Sequence, residues 1–158
     1  DAAWKRKERN ESWFPGDEVN LAIGQGDLLI TPLQLANAYS SFIAGSLRTP
    51  VLVKGNEATK RGDIPLSPDQ FAHLRQGLKL VTSARGTASA AFALAGYTDF
   101  AGKSGTAEDV GTQQHVLFVA YSPADAPRAV AAIVLDEGQS GSVEAGPIAR
   151  DVVLVALK

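Results

Sequence analysis

The chain has 158 residues, 45% apolar and 20% charged, with a formal net charge of −2, a balance that excludes disordered and fibrous classes and gives no electrostatic reason to bind nucleic acid. It contains no cysteine, which removes disulfides, thiolate nucleophiles and cysteine-held zinc. No apolar run reaches the roughly eighteen residues of a membrane span, and a domain of this length buries about two-thirds of its unfolded surface.

Lys5, Arg6, Lys7 and Arg9 form a basic run that Glu8 and Glu11 interrupt, which predicts a solvated face rather than a nucleic-acid surface. Trp4 and Trp13 are expected to anchor this amino-terminal segment to the body of the domain. The glycines of Gly24-Gln25-Gly26 predict a tight turn; the Lys-Ser and second glycine spacing of a phosphate-cradling loop are missing. Thr31-Pro32-Leu33-Gln34 is a capping box with proline at the first helical position. Leu35, Ala38, Tyr39 and Phe42 follow at helical spacing and Gly45 suits a left-handed cap, so a helix is predicted over 32–44.

Between 46 and 66, the apolar Val51-Leu52-Val53 and the polar Lys54-Gly55-Asn56 and Arg61-Gly62-Asp63 predict a short hairpin. Ser67-Pro68-Asp69-Gln70 repeats the capping box, and Phe71, Leu74, Leu78 and Val81 mark a second amphipathic helix. A third, shorter helix is predicted from Ala88 to Leu94, closed by Gly96. Two β-rich runs, His115 to Tyr121 and Ala129 to Leu135, predict adjacent antiparallel strands, and the nearly continuous apolarity of the second places it in a sheet centre. A last helix is expected from Pro147, with Ile148, Val152, Val155 and Ala156 as the stripe that lies on the sheet. The fold class is therefore α+β, an antiparallel sheet flanked by helices.

The segment that carries chemistry is Gly102-Lys103-Ser104-Gly105-Thr106-Ala107. On a strand edge, side chains alternate, so Ser104 and Thr106 share one face and Lys103 and Gly105 the other. Two hydroxyls backed by an ammonium suit a peptide carboxylate, because a charge-assisted hydrogen bond is roughly twice as strong as a neutral one. Gly105 leaves room for close backbone approach, and an edge strand lets an extended peptide add itself to the sheet. The other candidates are weaker. His73 falls on the polar side of a predicted helix, His115 opens a strand, and two isolated histidines make no zinc site. Asp136-Glu137-Gly138 reads as a turn rather than an acid–base pair. No metal and no cofactor is implied.

Taken with Ile23-Gly24-Gln25-Gly26-Asp27 and Thr31-Pro32-Leu33-Gln34, the Lys-Ser-Gly-Thr segment resembles the carboxyl-terminal half of a penicillin-binding protein's transpeptidase domain. Trp4-Lys5-Arg6-Lys7 and Trp13-Phe14-Pro15-Gly16-Asp17 narrow the resemblance to the class B, elongation-type members, and it runs from the first residues to the last helix. Three motifs build the family's site: Ser-x-x-Lys, Ser-x-Asn or Ser-Asp-Asn, and Lys-Thr-Gly. No serine in this sequence has a lysine three positions on, or an asparagine two positions on. The resemblance therefore implies that the acylated serine and its base lie upstream of Asp1, that residues 1–158 are the carboxyl-terminal fragment of one transpeptidase domain, and that this fragment alone is inactive.

Carried over by resemblance, Lys103 tunes the electrostatics of the cleft and Ser104 and Thr106 bind the carboxylate of D-alanyl-D-alanine or of a β-lactam. Gly105 keeps the groove open, and the Thr106 N–H donates to the oxyanion. Ser104 stands where threonine is commoner in the family and keeps the hydroxyl; Glu108 replaces a frequent glutamine and carries no assigned role. The implied partners are the stem peptide, β-lactams and the remainder of the transpeptidase domain, on the extracytoplasmic side of a membrane-anchored parent that builds peptidoglycan and maintains cell shape. Two strands of the family's sheet precede the nucleophile, so the strand Ala129 to Leu135 is expected to expose an edge, inviting self-association. Two other readings stay open: a non-catalytic binding or structural module with the same fold, and a serine β-lactamase or sensor relative.

Overall fold

A computed structural model describes residues 1–108 and 114–158. By its contacts the chain divides into two units, Asp1–Ile30 and Thr31–Lys158. In the first, helix α1 (Ala2–Arg9) is capped by Asp1, whose carboxylate accepts the Trp4 N–H at 2.8 Å, and ends at Asn10 in the left-handed conformation. Helix α2 (Pro15–Ala22) follows. Lys5 departs from the solvated face expected of the basic run: it is buried, and its ammonium donates to both Asp17 carboxylate oxygens at 2.8 and 2.9 Å. Asp17 also accepts the Phe14 N–H, so one carboxylate ties α1 to the start of α2. That hydrogen bond raises the pKa of Lys5 and, together with the Phe14 N–H, lowers that of Asp17. The Gly24-Gln25-Gly26 turn forms as expected, with φ of 77° and 72° at its glycines, a region open to glycine without steric cost.

Both capping boxes are present in the second unit. Thr31 Oγ1 accepts the Gln34 N–H and Gln34 Oε1 accepts the Thr31 N–H, opening α3 (Pro32–Ala44), which Gly45 closes at φ 69°. Ser67 and Gln70 do the same for α4 (Pro68–Thr82). The hairpin lies elsewhere than its apolar residues indicate. Strand β1 (Ser46–Arg48) pairs with β2 (Lys60–Asp63), while Val51-Leu52-Val53 falls in the connecting loop, with Leu52 82% exposed. The cause is polar: α3 presents the Ser41 hydroxyl to the Arg48 N–H and the Asn37 amide to the Arg48 carbonyl, which fixes the strand at 46–48.

The helix expected over 88–94 is instead a series of turns ending in a 3-10 turn, Ala93–Ala95. Phe92 breaks the helical backbone (φ −124°, ψ −89°) as its fully buried ring packs 5.3 Å from Phe100 and 5.4 Å from Phe118. Burial of that ring outweighs the weak propensity of an alanine-rich run.

Strands β3 (Ala101–Glu108), β4 (Gln114–Ser122) and β5 (Ala129–Leu135) form an antiparallel sheet in that order. A π-helical turn (Gly141–Ala145) then leads into α5 (Gly146–Ala156). Phe92, Phe100, Phe118, Ala120, Ala149 and Val153 make the core on the α5 face; Ala101, Tyr121 and Ala124, with Ile43 of α3 and Leu78 of α4, make that on the other. Two expectations change here. Strand β4, not β5, holds the centre; among the described residues no strand pairs with the outer edge of β5, which agrees with the exposed edge expected of this strand from the resemblance. Helix α5 meets the sheet through Gly146, Ala149 and Val153, while Ile148, Val152 and Val155 are 43, 46 and 68% exposed. Its apolar residues cover most of the circumference, so the small Gly146 and Ala149, which allow close approach, select the buried side.

Candidate functional site

Strand β3 carries Lys103, Ser104, Gly105 and Thr106 along one border of the sheet, and no described strand pairs with its outer edge. The register sets Lys103 against Val119 and Gly105 against Leu117. A Cβ built on Gly141 lies 2.3 Å from Leu117 O, 2.7 Å from Gly105 O and 3.3 Å from Gly105 N, so these backbone atoms face one another between the strands. Pairs alternate in an antiparallel ladder; Gly105 therefore bonds inward, and Ser104 and Thr106 direct their N–H and C=O groups along the outer edge. The ammonium of Lys103 donates to the Ser104 carbonyl at 2.7 Å, on that edge.

Side chains divide as the alternation requires. Lys103 is exposed and lines an apolar groove, of about 500 Å³, between α3 and α4 with Tyr39, Phe42, Leu74 and Leu78. Burial raises the pKa of Tyr39. On the opposite face, a Cβ at Gly102 meets the Phe118 ring at 2.7 Å, which places Ser104 and Thr106, in step with Gly102, on the side of α5. The hydroxyls therefore share one face and the ammonium leaves from the other. At Gly105 the space a side chain needs is filled by Leu117 Cδ1, 2.7 Å from the Cβ position. The glycine thus answers first to a cross-strand neighbour in its own sheet.

His73 is exposed on the rim of the groove. His115 pairs through Nδ1 with Asp136 at 2.8 Å, across the ends of β4 and β5. Asp136-Glu137-Gly138 is a turn, with Glu137 at φ 60° and the Gly138 N–H donating to Gln114 O. Tyr121 is buried, its hydroxyl has no hydrogen-bond partner among the described residues, and burial raises its pKa. Among the described residues no three His, Asp or Glu side chains come together to hold a metal, and no helix is long and apolar enough to cross a membrane. Sequence reasoning missed Gly141 and Glu144, some forty residues after the motif: Gly141 packs against the backbone of Gly105, and Glu144 caps the turn that holds it; the only sign was a second glycine-rich stretch, Gly138 to Gly141.

The family described as penicillin binding protein transpeptidase domain matches residues 5–154. The peptidoglycan D,D-transpeptidase MrdA of Haemophilus influenzae is 33% identical over 95% of this chain and 27% of its own length. A crystal structure of Pseudomonas aeruginosa PBP2 in complex with WCK 5153 superposes with a TM-score of 0.79 at 33% identity, over 99% of this chain and 35% of that one. PBP2 of Helicobacter pylori gives 0.75 at 31%, over 95% and 28%. The chain thus spans about a third or less of these relatives, and its helices and antiparallel sheet form part of their fold. With a family match across nearly its whole length and likeness to PBP2-type relatives throughout, the chain belongs to the penicillin-binding protein transpeptidase domain family.

Proposed function

We propose that the chain is the substrate-binding part of a peptidoglycan D,D-transpeptidase. In this reading the edge at Lys103, Ser104, Gly105 and Thr106 holds the carboxylate of a stem peptide ending in D-alanyl-D-alanine, or the matching carboxylate of a β-lactam. One observation carries it: two hydroxyls on one face of β3, backbone groups of the same two residues along the outer edge, and an ammonium hydrogen-bonded 2.7 Å away on that edge. An extended peptide adds to such an edge through main-chain hydrogen bonds, and the hydroxyls and the cation select its terminal charge.

The chemistry is acyl transfer. A serine attacks the penultimate D-alanine carbonyl, the C–N bond breaks, the last D-alanine leaves with a proton, and an amine of a neighbouring stem peptide takes the acyl group. The Thr106 N–H is assigned one of the two oxyanion bonds, a donor whose loss costs about 10²–10³ in rate. Lys103 is assigned the electrostatics of the cleft. No serine of this sequence sits in Ser-x-x-Lys, so this chain supplies the binding wall and not the nucleophile.

The reading places the site on the extracytoplasmic face of the bacterial cytoplasmic membrane, in a membrane-anchored parent enzyme that builds the wall and maintains cell shape. It expects the outer edge of β5 and the outer face of α5 to be covered by the remainder of a transpeptidase domain or, in the isolated chain, by a second copy. Gly24-Gln25-Gly26 and the Thr31-capped helix favour a transpeptidase over a serine β-lactamase or sensor. Intact-mass measurement after incubation with penicillin G tests the assignment. Unchanged mass, with saturable shifts of the Ser104 and Thr106 amides, is expected. A covalent adduct on this chain overturns the claim that the nucleophile lies elsewhere, and unchanged mass without amide shifts favours a non-catalytic module.

A further inference from the structure

We propose that Gly141 is a positioning residue for the carboxylate-binding edge, and that Glu144 holds the turn that presents it; this rests on the functional reading above. Gly141 opens the π-helical turn before α5 and is buried. Its Cα approaches the sheet so closely that a Cβ there lies 2.3 Å from Leu117 O and 2.7 Å from Gly105 O. Both obstacles are backbone oxygens, which no rotamer change can move. A methyl at 141 therefore lifts the turn or pushes β3 and β4 apart at the pair Gly105–Leu117.

The height of the turn is itself fixed. The Glu144 carboxylate accepts the N–H groups of Gln139 and Ser140 at 2.7 and 2.8 Å, and these bonds, that to Ser140 first, lower its pKa. The same segment passes Val116 at Gly138, where a Cβ lies 2.2 Å from Cγ2. Two glycines thus bring the return segment down on β4, but only Gly141 touches the backbone of Gly105, between the two proposed hydroxyl ligands. In a catalytic site a misplacement of about 1 Å costs on the order of 10²-fold in rate. The packing of Gly141 therefore sets where Ser104 and Thr106 stand relative to a bound carboxylate.

The test is amide-resolved NMR on the labelled chain, with N-acetyl-D-alanyl-D-alanine as probe. In Gly141→Ala the Gly105 and Thr106 amide shifts and exchange rates of the ligand-free chain change, and affinity read at the Ser104 and Thr106 amides falls about tenfold or more. Gly138→Ala, which meets the Val116 side chain and not the backbone of Gly105, lowers the urea midpoint and disturbs the β3 amides and the affinity less than Gly141→Ala does. Glu144→Gln, which leaves the glycine in place, weakens binding about threefold and serves where Gly141→Ala does not fold. A folded Gly141→Ala chain with wild-type β3 shifts and affinity, or a Glu144→Gln chain unchanged in both, overturns the proposal. If the wild-type chain does not bind the probe, the carboxylate reading fails, and the ligand-free exchange at Gly105 and Thr106 still decides whether Gly141 positions the strand.

Discussion

Lys103 turns its ammonium onto the carbonyl of its own neighbour Ser104, 2.7 Å away, so the cation stays at the outer edge of β3 instead of being tied up in the interior. The charge is therefore held on the edge along which Ser104 and Thr106 direct their backbone groups, while the two hydroxyls lie on the α5 face. Lys103→Met is expected to weaken N-acetyl-D-alanyl-D-alanine binding by about tenfold or more, the weight of a charge-assisted bond of about 1.5–3 kcal/mol. Lys103→Arg keeps most of the affinity. Calorimetric titration at two ionic strengths checks this, the wild-type affinity falling with salt and that of Lys103→Met hardly changing.

Ser104 and Thr106 stand on the same face of β3, two residues apart. Ser104→Ala and Thr106→Val are each expected to cost about fivefold in affinity for the same dipeptide, near 1 kcal/mol for one hydrogen bond. Ser104→Thr and Thr106→Ser keep the hydroxyl and bind within about twofold of wild type. Amide-resolved titration separates loss of the bond from loss of the strand.

The reassigned face of α5 has a direct consequence for stability. Val153 is fully buried in the core and Val152 is 46% exposed. Val153→Ala is expected to lower stability by about 2 kcal/mol and Val152→Ala by less than about 0.5 kcal/mol. Phe118→Ala, which removes a ring stacked 5.4 Å from Phe92, costs about 3–5 kcal/mol. Urea unfolding by circular dichroism measures all three.

These contrasts mark what was legible in the sequence. Helices with a local stop and start were readable: Thr31 with Gln34, Ser67 with Gln70, and Gly45 are decided within four residues of chain. The strand pair β4–β5 was readable from β-branched and aromatic runs. What depended on distant partners was not. Lys5 is buried by Asp17, twelve residues on, β1 is fixed by Ser41 and Asn37, and Phe92 breaks its helix to meet Phe118. In the site, β3 and its alternation followed from the motif, but the role of Leu117 and Gly141 behind Gly105 is a matter of packing that no local pattern encodes.

The Lys5–Asp17 pair makes the first unit acid-sensitive. Asp17 titrates below the ordinary carboxylate value, so the stability it contributes is full above that value and is lost as pH falls through the depressed one. Lys5 works in the opposite sense: its pKa is raised, and its contribution disappears only as pH rises through that raised value. Both tryptophans of the chain, Trp4 and Trp13, lie in this unit. Tryptophan emission is therefore expected to change on acidification below the ordinary carboxylate range, and Asp17→Asn to give the acid-form emission already at neutral pH.

The outer edge of β5, with which no described strand pairs, and the exposed Ile148, Val152 and Val155 lead to an expectation about assembly. Sedimentation velocity of the isolated chain is expected to show concentration-dependent association, and the double variant Val152→Lys with Val155→Lys to reduce it. A wild-type chain that stays monomeric at high concentration contradicts this.

The function proposed for β3 depends on where a carboxylate sits. A crystal structure of the chain soaked with N-acetyl-D-alanyl-D-alanine is expected to place the terminal carboxylate within about 3 Å of the Ser104 and Thr106 hydroxyls, with the Lys103 ammonium swung from the Ser104 carbonyl toward the ligand. A dipeptide bound away from β3, with the Lys103–Ser104 bond intact and nothing on the hydroxyls, contradicts it.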